Sequence, residues 1–426
     1  MFIQFIENKN TDSIIVSSVM NNSVDFYINS ILSIILASKI IKNKINLKKH
    51  ICFDISLLQD KFVYAFIYRI LQGLYTFNKY ITHNKSSTLL NISFYAPQLS
   101  YKDKKHFLNL LDNANYARNI INEPSNKSTP AIFANNVAKL FKKNKNIKVK
   151  IFDSQKIKST KLGLIDAIGN SSNNPARFII VDYKPKNFKK TICLVGKGVT
   201  IDTGGYSLKT KNGLKNMHMD KTGASISITL IKALSENGYK NRIIGLCPLV
   251  ENIVSNNSIK PGDIVQAYNG QTVEIVDVDA EGRLILADAL AYACKNYKPD
   301  YIYDFATLTG WSSRLHCHSS FTYFTLNDLL AKKIENDCIK YAERCFRIPS
   351  WTDYLYYIKS SVADVKNYNS ECNSDGLMAS MFLMNFIPNK YRKKWIHFDI
   401  RLESYNNNVN IADGLATFYD MILSQQ

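Results

Sequence analysis

The chain has 426 residues, 46% of them apolar and 12% aromatic, long enough for two domains or one large one and apolar enough for a real core. Its formal net charge of +19 would steer anions, yet the lysines are dispersed and no aromatic-interleaved basic helix appears, so composition argues against a dedicated nucleic-acid binder. Eight cysteines without regular spacing exclude a secreted disulfide framework, and no apolar stretch reaches the length of a membrane span.

In chain order, residues 1–100 alternate short apolar runs (Ile14-Ile15-Val16, Ile51-Cys52-Phe53, Leu90 to Phe94) with helix-like segments such as Asp60 to Leu74. That rhythm predicts a small N-terminal α/β domain. Ile28 to Ile41 is interrupted by Asn29, Ser30, Ser33, Ser38 and Lys39 and is expected to be a buried helix. Phe107, Leu110, Leu111, Ala114, Ala117, Ile120 and Ile121 recur on one face of a helix expected from Lys104 to Asn122, inside a linker spanning 101–128. Thr129-Pro130 supplies an N-cap and a first-turn proline for a helix through Leu140. The densest basic run, Lys139 to Lys150, is expected to be a solvated face.

Residues 129–426 form the expected catalytic domain. Strands are predicted at Val149–Phe152, Phe178–Tyr183, Ile192–Val195, Ile243–Leu249, Val273–Val276 and Tyr301–Phe305, with helices at Thr222–Asn237, stopped by Gly238, and at Arg283–Tyr297. The strands are almost wholly apolar, which implies a mixed sheet covered by helices on both sides. Ligands of such sheets sit at the carboxyl ends of strands, where Lys197, Asp279 and Thr307 fall. The fold class is therefore α/β.

The chemistry is concentrated in two segments. Val195-Gly196-Lys197-Gly198-Val199-Thr200-Ile201-Asp202-Thr203-Gly204-Gly205-Tyr206-Ser207-Leu208-Lys209 is expected to be a strand end running into a glycine-rich loop, followed by Asp220; Asp279-Ala280-Glu281-Gly282-Arg283 is the second. Singly, each Asp or Lys reads as a turn residue. Jointly, Asp202, Asp220, Asp279 and Glu281 offer oxygen ligands able to bridge two cations, and Lys197 or Lys209, held neutral beside cations, could ligate as well.

Together these residues resemble the leucyl aminopeptidase (cytosol aminopeptidase) family: a Gly-Lys-Gly-x-x-x-Asp-x-Gly-Gly segment, a lysine four residues on, an aspartate eleven further, and an Asp-Ala-Glu-Gly-Arg block. The resemblance runs from about Asn122 to the C-terminus. Asn122-Glu123-Pro124-Ser125-Asn126-Lys127-Ser128-Thr129-Pro130, Asp304-Phe305-Ala306-Thr307-Leu308-Thr309-Gly310 and Trp395-Ile396-His397-Phe398-Asp399-Ile400 also match the family's wording. Gly204-Gly205-Tyr206-Ser207 and the chain length are similar to its peptidase B branch.

The resemblance implies a metalloaminopeptidase, a hydrolase that cuts the N-terminal bond of peptides with a free α-amino group. It implies two divalent ions (zinc or manganese, with magnesium also compatible): Asp202 and Glu281 bridging both, Lys197 and Asp220 completing one site, Asp279 the other. One metal would anchor the α-amino group, and the pair would activate a water. Lys209 would polarise the scissile carbonyl. Arg283 would hold a bicarbonate ion serving as general base, its planar fork matching a planar anion. A homohexamer is implied, and with the cysteine usage and no signal peptide in view, a cytoplasmic location.

Two departures stand out. Asp277-Val278 replaces the family's Asn-Thr, and Trp311-Ser312-Ser313 follows Gly310 where a small residue is usual; the first is expected to alter hydrogen bonding around the ligands, the second to reshape the substrate pocket. His316-Cys317-His318 lacks a partner pair at any zinc-site spacing and is expected to be structural or exposed. His218 is expected on a strand, on the face of Asp220. Gly196-x-Gly198 lacks the spacing of a phosphate cradle. The competing function, a nucleic-acid binder built on this scaffold, would be separated by a salt-dependent gel shift.

Overall fold

The computed structural model describes residues 2–6, 13–15, 33, 51–82, 91–311, 314, 320–402 and 410–425. Ile28 to Ile41, apart from Ser33, and His316-Cys317-His318 lie outside the described residues. In the N-terminal part, β1 (Phe2–Ile6), β2 (Ser13–Ile15), β3 (Ile51–Asp54) and β4 (Asn91–Tyr95) pair in parallel in the order β1-β4-β3-β2. The Asp60–Gly73 helix buries Val63, Phe66, Ile67, Ile70 and Leu71 beside Phe53 and Phe94.

The remaining strands are β5 (Ile147–Phe152), β6 (Arg177–Tyr183), β7 (Thr191–Gly196), β8 (Gly198–Asp202), β9 (Arg242–Asn252), β10 (Ile264–Gln266), β11 (Thr272–Glu274), β12 (Tyr301–Ala306), β13 (Phe321–Phe324), β14 (Cys345–Arg347), β15 (Val365–Lys366) and β16 (Trp395–Asp399). Nine of them form one mixed sheet in the order β14-β13-β16-β12-β7-β9-β6-β5, with β8 paired to β9. β16, β12, β7 and β9 run parallel at its centre.

Side chains alternate across a strand, and here both faces are covered. On β7, Ile192 and Leu194 enter one core while Cys193 and Val195 enter the other; on β12, Tyr303 and Phe305 oppose Ile302 and Ala306. That is why these strands read as unbroken apolar runs. The first core takes its cover from the Tyr101–Ile121, Thr222–Glu236 and Leu415–Leu423 helices, the second from the Gly163–Gly169, Glu281–Tyr297 and Asp375–Asn385 helices.

Capping chemistry sets the helix ends. Ser100 caps the Tyr101–Ile121 helix, which starts three residues before the expected Lys104, and Thr129 caps Pro130–Phe141. Tyr101–Ile121 is no bare connector, since buried Arg118 donates from Nε to the Ile411 carbonyl at 3.0 Å and Asn122 Nδ2 to the Asn410 carbonyl at 2.9 Å. Of its expected apolar face all but Ile120 is buried.

Two expectations are corrected. The Val273–Val276 strand exists as β11 but belongs to a separate three-stranded sheet, β10-β11-β15, because Val365 offers it an edge outside the main sheet. The glycine-rich stretch after Val195 is not loop throughout. Its chain breaks only at Lys197, then resumes as β8, parallel to β9 with a bulge at Thr200.

A carboxylate and lysine cluster at the strand ends

The break at Lys197 exists because a helix arrives there. Gly223, in the first turn of Thr222–Glu236, lies so close to β12 that a Cβ would stand 1.9 Å from the Phe305 carbonyl oxygen, and one on Gly196 would stand 2.6 Å from Ala224 Cα. Lys197 N–H donates to Phe305 O at 3.0 Å and its carbonyl accepts from Ala224 N–H at 2.8 Å. Its side chain is thereby aimed past the strand ends.

Each expected site residue is brought into this region. Asp202 ends β8 opposite Asn252, whose Nδ2 donates to Asp202 Oδ1 at 2.9 Å, and Gly204 N–H donates to the same oxygen at 2.9 Å. Gly204 and Gly205 at φ 86° and 57° turn the chain so that Lys209 Nζ returns to within 2.8 Å of Asp202 Oδ2 and against Asp279 Oδ1. Asp220 follows the 3-10 turn Met217–Met219; Lys197 Nζ lies 2.9 Å from its Oδ1 and 2.8 Å from its Oδ2. Glu281 opens the Glu281–Tyr297 helix with Oε1 2.9 Å from Lys197 Nζ.

These groups, except Glu281, line a cavity of about 380 Å³ together with Arg283, Asp277, Asp375, Tyr368 and the Thr307–Gly310 turn. Arg283 is buried, donates from Nη1 to the Asn367 carbonyl at 2.8 Å, and leaves Nε without a hydrogen-bond partner among the described residues. Burial pulls its guanidinium pKa down, while Asp375 and Asp277 act against that shift.

The electrostatics are unbalanced. Burial, opposed by Lys197 but reinforced by Glu281 and Asp202, pushes Asp220 up to about 8. Burial together with Asp202 and Glu281 pushes Asp279 up to about 7, and burial and then Asp202 raise Glu281. Burial works against charge on both lysines, but Asp220, Glu281 and Asp202 outweigh it at Lys197, and Asp202, Glu281 and Asp279 at Lys209, so both pKa values rise. Four acids crowd two ammonium groups, and Asp220, Asp279 and Glu281 protonate more readily than in water.

A divalent cation would relieve that crowding, and the donor set fits one. Oxygens of Asp202, Asp279 and Glu281 lie within 4.8 Å of one another, close enough to share an ion. Asp220 Oδ2, Asp279 Oδ1 and Glu281 Oε1 are buried, each lies against a lysine ammonium group, and none has a partner in hydrogen-bond geometry among the described residues. Oxygens left this way are ready to ligate.

Several positioning groups were not singled out in the sequence for the roles they have. Thr307 Oγ1 donates to Asp220 Oδ1 at 2.6 Å and its carbonyl accepts from Lys197 Nζ at 2.8 Å. Asn367 braces Arg283 through its carbonyl and Asp277 through its Nδ2. Lys221 is wholly buried, with Nζ on the carbonyls of Glu123 and His218; burial lowers its pKa to about 7. Its position directly after Asp220 was the only available signal.

His218 sits in the 3-10 turn and not on a strand, because Asn216 at φ 69° bends the chain there. Burial and then Lys221 hold its imidazole down, to about 4. Trp311 does not line the cavity; it packs against Gly376, where a Cβ would come within 2.8 Å of the ring. Asp277 keeps a local role, accepting the Asp279 N–H at 2.8 Å.

A mixed α/β sheet that presents clustered carboxylates and lysines at the ends of its parallel strands defines a protein equipped for hard divalent cations. A profile of the cytosol aminopeptidase family, catalytic domain (Peptidase M17), matches residues 115–418, and the chain belongs to that family. It is 40% identical over 287 residues to a probable cytosol aminopeptidase of Chlorobaculum tepidum, covering 67% of this chain and 56% of that protein. A probable cytosol aminopeptidase of Helicobacter hepaticus is 34% identical over 358 residues, covering 82% and 74%. The chain thus spans little more than half the length of relatives such as the first, 56%.

Among solved structures, the Caenorhabditis elegans leucine aminopeptidase LAP1 aligns with a TM-score of 0.80 at 26% identity, covering 88% of this chain and 76% of its own. The bottromycin maturation enzyme BotP in complex with Mn shares the fold, with a TM-score of 0.82 at 24% identity over 93% and 88%. No helix among the described residues is long and apolar enough to cross a membrane.

Proposed function

We propose that this protein is a metal-dependent aminopeptidase, removing single residues from peptides with a free α-amino group. The observation that carries this is the triad Asp202, Asp279 and Glu281, with oxygens within 4.8 Å of one another beside the buried Lys197–Asp220 pair. On the family likeness, Asp202 and Glu281 would be shared between two cations, with Lys197 and Asp220 at one and Asp279 at the other. Bound there, zinc, manganese or magnesium would supply Lewis-acid polarisation and a more acidic water.

The chain's own groups supply the rest. Lys209, less buried than Lys197 and facing the cavity, is suited to donate to the carbonyl oxygen as negative charge builds on it. The Arg283 Nε, without a hydrogen-bond partner among the described residues, would suit a planar anion such as a bicarbonate acting as proton acceptor. The division at residues 1–100, 101–128 and 129–426 belongs to the same reading and rests on the rhythm of apolar runs, the cytoplasmic location rests on cysteine usage, and assembly as a homohexamer rests on the family likeness.

The test is hydrolysis of a panel of aminoacyl amides and short peptides, with zinc, manganese or magnesium added in turn. Turnover of free peptides and resistance of their N-acetylated forms is expected. Comparable turnover of blocked and free peptides would replace the reading with an amidase or endopeptidase.

A further inference from the structure

The Glu281–Tyr297 helix carries Glu281 and Arg283 at its start, and its far end borders a second cavity of about 580 Å³ that shares no lining residue with the first. At 1.5 Å per residue, Lys295 stands about 20 Å from Glu281 along the helix. The two cavities are separate.

Lys295, Lys298 and Lys390 border this second cavity, and no acidic side chain among the described residues lines it. They come from three places: the helix itself, its left-handed C-cap at φ 46°, and the short Asn389–Arg392 helix. Among the described residues none of the three has a carboxylate partner; Lys295 Nζ and Lys390 Nζ instead lie 5.1 Å from the ring centroids of Tyr268 and Tyr391. In a chain of net charge +19, lysines at a surface decide little by themselves.

The polar wall decides more. Gln271 Oε1 accepts from Asn269 Nδ2 at 2.7 Å and from Asn385 Nδ2 at 3.0 Å. These bonds fix the Gln271 amide with its N–H₂ unpartnered among the described residues, and leave Asn385 Oδ1 as an acceptor on the same wall. A donor beside an acceptor matches the edge of a nucleobase. Ala291 and Phe386 give the cavity an apolar floor, and Cys294 joins it as a neutral thiol, pushed up to about 12 by burial.

We propose that this cavity is a nucleotide-binding site, reading the base with Gln271 and Asn385 and holding its phosphates among Lys295, Lys298 and Lys390. Its ligand is a planar base joined to a di- or polyphosphate, and its occupancy is independent of the peptidase reading.

The test is calorimetric titration of the full chain, without added divalent metal, with ADP, adenosine and pyrophosphate in separate runs. ADP is expected to bind with Kd below about 1 mM and at least tenfold more tightly than either fragment. Each of K295Q, K298Q and K390Q lies at an exposed position and is expected to weaken ADP and pyrophosphate while sparing adenosine; Gln271→Leu is expected to weaken ADP and adenosine while sparing pyrophosphate. No ADP binding below about 1 mM, or ADP binding unchanged in all four variants, would overturn the proposal. Pyrophosphate binding as tightly as ADP would overturn it too, leaving only an anion site.

Discussion

Lys197 and Asp220 face each other at 2.8 Å with about 3% of either residue exposed, so an ammonium and a carboxylate share a space with almost no water. Lys209 makes the matching contact with Asp202 at 2.8 Å but keeps 15% of its side chain exposed to the cavity. The difference in exposure divides their duties. Lys197→Ala is expected to lose metal occupancy at the Asp220 side, since it deletes a donor and leaves a buried carboxylate unpaired. Lys209→Ala is expected to bind nearly normal metal and lose kcat by about 10² to 10³. Elemental analysis of both variants beside their kinetics checks this; equal metal depletion in the two would defeat the assignment.

Gly282 gives a separate route to Lys197. A Cβ at this position would stand 2.6 Å from Lys197 Cε, 2.8 Å from its Cδ and 2.9 Å from Leu308 Cδ1, contacts with side chains and not with backbone, the closest of them on Lys197. Gly282→Ala therefore keeps the helix, whose propensity it improves, and displaces the Lys197 amine. A melting temperature close to wild type with metal affinity weakened about tenfold or more is expected. Normal metal affinity in a well-folded Gly282→Ala would show that Lys197 need not hold its place.

The fold was largely legible because its signals are local. Both faces of β7, β9 and β12 are buried, so Ile192–Val195 and Tyr301–Phe305 announce themselves as apolar runs, and Thr129-Pro130 announces a helix start. β8 was not legible, since Gly198-Val199-Thr200-Ile201-Asp202 shows its strand character only against β9. The site's acids and lysines were legible as a motif. Their supports were not: Asn252 reaches Asp202 across 50 residues and Thr307 reaches Asp220 across 87, pairings that spacing cannot express.

Chelation offers a direct check on the cation reading. Carboxylate and amine donors without histidine or cysteine give exchangeable binding, at least at one site. Dialysis against a chelator is expected to abolish hydrolysis and added metal to restore it. It should also lower the melting temperature, because removing the ions returns four crowded acids to the state in which Asp220 and Asp279 are pushed up to about 8 and about 7. Full activity in demonstrably metal-free protein would sink the assignment.

The buried Asp304–His397 pair sets a pH dependence of stability. Asp304 Oδ2 accepts from Trp395 Nε1 at 2.6 Å and its Oδ1 lies 2.6 Å from His397 Nδ1, while Asp399, held by Leu308 N–H, Thr309 N–H and Thr309 Oγ1, stands on the same strand. Burial opposes a charged imidazole and Arg283 adds to that, but Asp304 and then Asp399 prevail and raise the His397 pKa above the usual 6.5. The folded protein thus holds this proton more tightly than the unfolded chain. The stabilisation is complete below pH 6.5 and is lost as pH rises through the folded pKa. Melting temperatures from about pH 6 upward should fall across that window in the wild type, and the step should be absent from His397→Gln. A wild-type profile parallel to that of His397→Gln would mean that the imidazole is neutral in the folded protein.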